Sequence, residues 1–199
     1  MGQITAPSGH MRKLWPADLP EFRRHLVRLD ADSRRARFGM AANDDFLLAY
    51  AETAFALDTI LFGYFEQGEL RGVAELRMLS SGNPRMAEAA FSVEPACRHR
   101  GIGSSLMEHV ILAARNRGIR RLYMSCLGWN RAMQALARRF SAELVFEADD
   151  VLGIVEAAAP TAGTLMQEAV TNAGGFATAI LDLQQKCWKR YAFLRPRTP

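Results

Sequence analysis

Two features of this 199-residue chain could do chemistry: the run Arg98-His99-Arg100-Gly101-Ile102-Gly103, and a glutamate upstream of it, Glu88. Glycines at 101 and 103 let the backbone come close to a ligand and adopt angles closed to other residues. A helix starts here in the apolar pattern, so the amides of its first turn, from His99 to Ser104, point at whatever lies ahead of it. Those amides and the helix dipole favour a phosphate group. Arg98 and Arg100 add charge suited to a pyrophosphate or an adenosine phosphate. A glycine pair at this spacing also builds ordinary tight turns, which is the plain structural alternative.

Glu88 lies in a strand-like run, Arg85 to Val93. Ala87, Ala89, Phe91 and Val93 fall on one face, and Met86, Glu88, Ala90 and Ser92 on the other. In a sheet covered by helices, a carboxylate there is buried, paired or in a cleft. A partly desolvated glutamate has a raised pKa and can accept a proton from an ammonium group, directly or through water. The alternative is an ion pair with an arginine of the neighbouring strand, such as Arg77. Asn130 has two readings as well, a cofactor contact or the cap of the helix it precedes. Cys126, with no histidine in a recognisable pairing, reads as a small packing residue. His99 and His109 read as a loop residue and a solvated helix-face residue.

These residues need a folded domain around them, and the composition allows one. The chain is 49% hydrophobic, enough for a core, and 25 Lys and Arg against 21 Asp and Glu leave a formal +4. That mild excess suits an anionic ligand but falls short of the basic stripe of nucleic-acid binding. Cys97, Cys126 and Cys187 form no CxxC pair, so neither a disulfide framework nor a metal site is expected. With no apolar leader and no membrane-length apolar run, a cytoplasmic protein is expected.

The elements follow from periodicity. Residues 1–10 read as a mobile tail, with order from about Met11. A helix is expected from Asp18 and Pro20 to Asp30, then a basic turn over Ser33 to Phe38, then a helix capped by Asn43 or Asp44. Thr59–Glu66 and Glu69–Leu79 flank Gln67-Gly68 as a hairpin, and a loop covers 80–84. After the strand to Val93 come a helix to Arg117 closed by Gly118, a strand over 119–127, a helix over Asn130–Phe140, and two short strands over 143–156 turning at Asp149-Asp150. Beyond Pro160 a long amphipathic helix is expected, with a kink at Gly174-Gly175. It would cover the chain's own sheet or make a homodimer interface.

Arg98, Gly101 and Gly103, preceded by Phe91-Ser92-Val93-Glu94-Pro95, resemble motif A of the GNAT superfamily, [Q/R]-x-x-G-x-[G/A]. The segment Asn130-Arg131-Ala132-Met133-Gln134-Ala135-Leu136-Ala137 is similar to its N-x-x-[AM]-x-x-[LF]-Y, with Ala137 where many members carry a tyrosine that protonates the leaving thiolate. Ala87-Glu88-Ala89-Ala90-Phe91 and the stretch Arg34 to Phe38 look like segments of bacterial protein-lysine acetyltransferases. The resemblance implies a mixed α/β GNAT acyl-CoA N-acyltransferase fold over 11–157, with 158–199 an added helical extension. It implies acetyl-CoA as co-substrate, its pyrophosphate on the backbone of Arg98 to Ser104. Phe91, Ser92 and Val93 would lie along a gap between strands near 91–93 and 122–127 that admits the pantetheine arm. Asn130 and Met133 would adjoin the cofactor, and Glu88 would be the base. The implied activity is direct transfer of acetyl to a primary amine, on a protein lysine or a small molecule. A silent acyl-CoA sensor is the alternative, motivated by Ala137 and the added helix.

Overall fold

A computed structural model describes residues 9–80 and 85–193. The expected tail to residue 8 and the loop over 81–84 lie outside the described residues. Seven strands make one mixed sheet in the order β1-β2-β3-β4-β5-β7-β6. They are β1 (His10–Lys13), β2 (Thr59–Glu66), β3 (Glu69–Ser80), β4 (Arg85–Val93), β5 (Ile119–Leu127), β6 (Glu143–Glu147) and β7 (Asp150–Glu156). Every neighbouring pair is antiparallel except β4 and β5. That one parallel pair requires a crossover, and helix α4 (Ile102–Asn116) supplies it. The hairpin joining β2 to β3 turns on Gln67 and Gly68, both at positive φ (54° and 80°), as a two-residue turn demands.

Two apolar layers sandwich the sheet. On one face, α4 drives Ile102, Leu106, Met107 and Val110 onto Phe62, Ala74, Leu76, Ala87 and Ala89. On the other, α1 (Leu19–Arg28) and α3 (Asp44–Thr53) bring Phe22, Leu26, Leu47 and Ala51 onto Leu61, Phe65 and Val73. The alternation read along β4 therefore separates two environments, and Glu88 and Ser92 belong to the α1 side.

The structure corrects several expectations. Residues 33–38 belong to a helix, α2 (Ala31–Phe38), and are not a turn. Asp30 caps it by accepting from the Ser33 amide at 2.8 Å, and Gly39 at φ 72° ends it. Three arginines in eight residues masked the pattern. His10, assigned to the tail, opens an edge strand, because β2 offers four residues of register to a short polar segment. The last hairpin turns one residue early, at Ala148-Asp149, since Asp150 already pairs with Glu147. The expected long helix is α6 (Ala162–Phe193), and Gly174 and Gly175 lie within it. It lies on β1 and α4: a Cβ at Gly175 would meet Arg12 Cβ at 2.9 Å, and Asn116 donates to Thr164 O at 2.9 Å.

Candidate active site

Strands β4 and β5 pair from Arg85↔Ile119 to Glu88↔Tyr123 and no further. Both strands continue, β4 to Val93 and β5 to Leu127, while β4 stays paired to β3 as far as Gly72↔Val93. The two strands therefore part, leaving main-chain groups of 89–93 and 124–127 facing a gap in the middle of the sheet. Buried main-chain groups need partners, so such an opening is a place for a polar chain to lie. The gap starts later on β5 than expected, since Leu122 and Tyr123 are still paired.

At the open end β4 gives way to a short 3-10 turn, Pro95–Cys97, and then to the glycine segment. His99 (φ 60°) and Gly101 (φ 81°) take the left-handed conformation, which folds the chain back over the start of α4. Among the described residues, no amide from His99 to Ser104 donates to a carbonyl; the first to do so is Ser105, to Gly101 O at 3.0 Å. The glycines are not required by the protein's own packing. A Cβ at Gly101 would meet nothing within 4 Å, and one at Gly103 would only touch Leu136 at 3.8 Å. A cradle of unpaired amides with free space before it fits an anionic group better than an ordinary turn does.

The arginine side chains of that motif are committed elsewhere. Arg98 donates through Nε to Val93 O at 3.2 Å and through Nη2 to the Ser33 hydroxyl at 2.5 Å. Arg100 grips both oxygens of Glu66 on β2, one of them at 3.0 Å. Their charge stays near the turn, but their geometry braces it against α2 and β2.

Glu88 sits half-buried at the last paired position, where the strands diverge. Arg77 is its register partner on β3, yet among the described residues no ion pair or hydrogen bond engages the Glu88 carboxylate. Its neighbour on the same face contrasts with it: buried Glu75 accepts from Arg37 and from the Tyr50 hydroxyl. Burial, despite Arg37 and with help from Glu75, pushes the Tyr50 hydroxyl up to about 12.

The remaining residues divide cleanly. Asn130 caps α5 (Arg131–Arg139), its Oδ1 accepting from the Met133 amide at 3.1 Å. Ala137 is core, 3% exposed, and packs against Gly153. Cys126 is buried on β5, and burial pushes its thiol up, which suits a packing role. His109 corrects the solvated reading: it is half-buried, tilted on Phe62 at 5.6 Å, with Nδ1 2.8 Å from Ser105 O. Among the described residues no group of three or more His, Cys, Asp or Glu is placed to hold a metal, and no helix is long and apolar enough to cross a membrane.

Sequence reasoning missed a buried polar cluster beneath β4. His25 of α1 lies 2.9 Å through Nε2 from Ser92 Oγ and 3.2 Å through Nδ1 from Glu94 Oε1. Glu94 also accepts from Arg28 Nε at 2.9 Å and Arg71 Nη1 at 2.8 Å. The available signal was a histidine on the apolar stripe of Phe22, Leu26 and Leu29.

The model of the acetyltransferase (GNAT) family matches residues 20–141, from α1 to the end of α5. The chain belongs to the GNAT acetyltransferase family. Its fold is that of solved GNAT structures. The GNAT domain of the Streptomyces lividans protein PAT superposes with TM-score 0.67 at 22% identity, covering 74% of this chain and 90% of that one. RimL, a ribosomal-protein alpha-N-acetyltransferase in complex with coenzyme A, gives 0.64 at 18% identity, over 78% and 97%. The structure of the Salmonella typhimurium protein yncA with its cofactor acetyl-CoA gives 0.57 at 19% identity, over 78% and 99%. Comparison with curated proteins gives no match. The matched region ends before β6, β7 and α6.

Proposed function

We propose that the chain transfers the acetyl group of acetyl-CoA directly to a primary amine, with Glu88 as the base. The observation that carries this reading is the parting of β4 and β5 immediately after Glu88↔Tyr123, beside a turn whose six amides have no partner among the described residues. The amides from His99 to Ser104 would hold the pyrophosphate, and the main chain of Phe91, Ser92 and Val93 would line the pantetheine arm. Amides of that same stretch would donate to the oxyanion formed at the thioester carbon. Glu88, which no partner engages among the described residues, would take one proton from the incoming ammonium so that its nitrogen can bond to the acetyl carbon; the carbon–sulfur bond then breaks and the new amide nitrogen gives its second proton to solvent. Holding both reactants across one gap supplies much of the acceleration by proximity.

With Ala137 in the core, that position offers no acid, and the thiolate takes its proton from solvent. This is tolerable because a thiol is an adequate leaving group near its pKa. Cytoplasmic residence belongs to this reading, as does an amine acceptor on a protein or a small molecule.

Calorimetric titration with acetyl-CoA, followed by thiol release over panels of proteins and amines, tests the reading. Binding with amine-dependent release is the expected result. Absence of binding removes the proposal, and binding without release for any amine favours the silent sensor that buried Ala137 suggests.

A further inference from the structure

We propose that His25 is a positioning residue for the acetyl-CoA strand: through Ser92 and Glu94 it pins the parted end of β4 from the face opposite α4. The inference rests on the reading of the gap as the acetyl-CoA site.

Beyond Glu88, β4 has lost β5 as a neighbour and keeps only β3. A strand in that condition is free to swing toward the gap or away from it unless its faces are held. On the α4 side, Phe91 and Val93 pack against the main core. On the α1 side the hold is polar. Ser92 and Glu94, flanking Val93, both end on one imidazole that is fully buried, and Glu94 N also donates to Arg71 O at 3.0 Å.

The cluster has one consistent hydrogen-bond pattern. Burial pushes Glu94 up, but hydrogen bonds from His25, Arg28 and Arg71 outweigh it and bring the carboxyl down to about 2, so Glu94 is an ionised acceptor. Burial lowers the pKa of His25 despite its bond to Glu94, so its ring is neutral, with one donor and one acceptor nitrogen. The donor must be Nδ1, facing Glu94. Nε2 is then an acceptor, and the Ser92 hydroxyl donates to it at 2.9 Å. Arg28 and Arg71 hold Glu94 from two further directions, and Arg28 also binds Leu70 O at 2.6 Å. The chain of bonds therefore transmits the position of α1 and β3 to the stretch whose main chain is proposed to line the gap.

The test uses the full-length chain and its variants Ser92→Ala, Ser92→Thr and His25→Gln, with acetyl-CoA as the probe. Two readouts are taken: the Kd for acetyl-CoA by calorimetry, and amide hydrogen exchange over residues 89–94 without any ligand. Loss of one hydrogen bond at the pin is expected to weaken acetyl-CoA binding by about tenfold in Ser92→Ala. Exchange over 89–94 is expected to speed up selectively, and Ser92→Thr, which keeps the hydroxyl, to return both to within about twofold of wild type. His25→Gln gives an intermediate effect, since an amide can bond one partner but not span both.

If Ser92→Ala lowers Tm while its Kd for acetyl-CoA and the relative exchange of 89–94 stay as in wild type, the cluster only stabilises the fold and the proposal fails. Should wild type bind no acetyl-CoA at all, the functional reading fails, while the exchange data still decide whether His25 pins β4.

Discussion

Glu88 and Glu94 stand on one strand and its exit, on opposite sides of the point where β4 loses β5, and they have opposite surroundings. Glu94 is buried with three donors converging on it, Nδ1 of His25, Nε of Arg28 and Nη1 of Arg71. Glu88 is half-buried, and no partner engages it among the described residues. A carboxylate held by three donors is locked ionised and makes a poor base, because protonation would break its bonds. One without partners at the mouth of a gap can exchange a proton with a reactant. The family sequence pattern alone does not draw this line; the partners do.

The comparison can be broken in order of expected effect. Glu94→Ala should cost most, about 3 kcal/mol in denaturant unfolding, because it removes the one acceptor shared by His25 Nδ1, Arg28 and Arg71. The contribution of Glu94 also has a pH signature. Its folded value is depressed from 4.5 to about 2, so its stabilisation is complete above about pH 4.5 and is lost as pH falls toward 2. Acid unfolding of Glu94→Gln, followed by circular dichroism, should show a flatter dependence over that window. An unchanged acid limb would mean that Glu94 is not held as described.

Glu88→Gln should be the mirror image. Turnover is expected to fall by about a hundredfold or more, with Tm and acetyl-CoA affinity close to wild type. Equal loss of stability in the two glutamate variants would erase the distinction between them.

Tyr50→Phe, which removes from Glu75 of β3 a donor supplied by α3, sharpens the contrast. Its hydroxyl has a folded value raised from 10.0 to about 12, so its stabilisation is present below about pH 10 and lost as pH rises from there to 12. The variant's alkaline unfolding curve should lack that loss.

The smallest effect belongs to Asn130. Replacement by alanine removes the cap on Met133 N and should cost about 1 kcal/mol of stability, with little change in acetyl-CoA affinity. A large change in affinity with no loss of Tm would give the residue to the cofactor instead.

Much of this architecture was legible in advance. Apolar residues at helical and alternating spacing marked α1, α3 to α6 and the six strands after β1, because each buries one face against the other. Residues 33–38 were misjudged because charge hid a helix whose stability comes from the Asp30 cap and from Arg37 reaching Glu75 and Tyr50. β1 was missed because four residues carry no pattern, and only a neighbouring edge makes them a strand. The roles of Arg98 and Arg100 were read from their charge, whereas partners distant in sequence, Ser33 and Glu66, decide where the guanidinium groups point.

The chain by itself determined the glycine turn, the helix behind it and the facing of Glu88, because backbone freedom, capping and side-chain alternation act between residues close in sequence. Tertiary structure alone decided which carboxylate is locked and which is free, where β4 and β5 part, and how His25 reaches Ser92 across 67 positions. Those outcomes depend on partners brought together by packing, and local pattern carries no information about them.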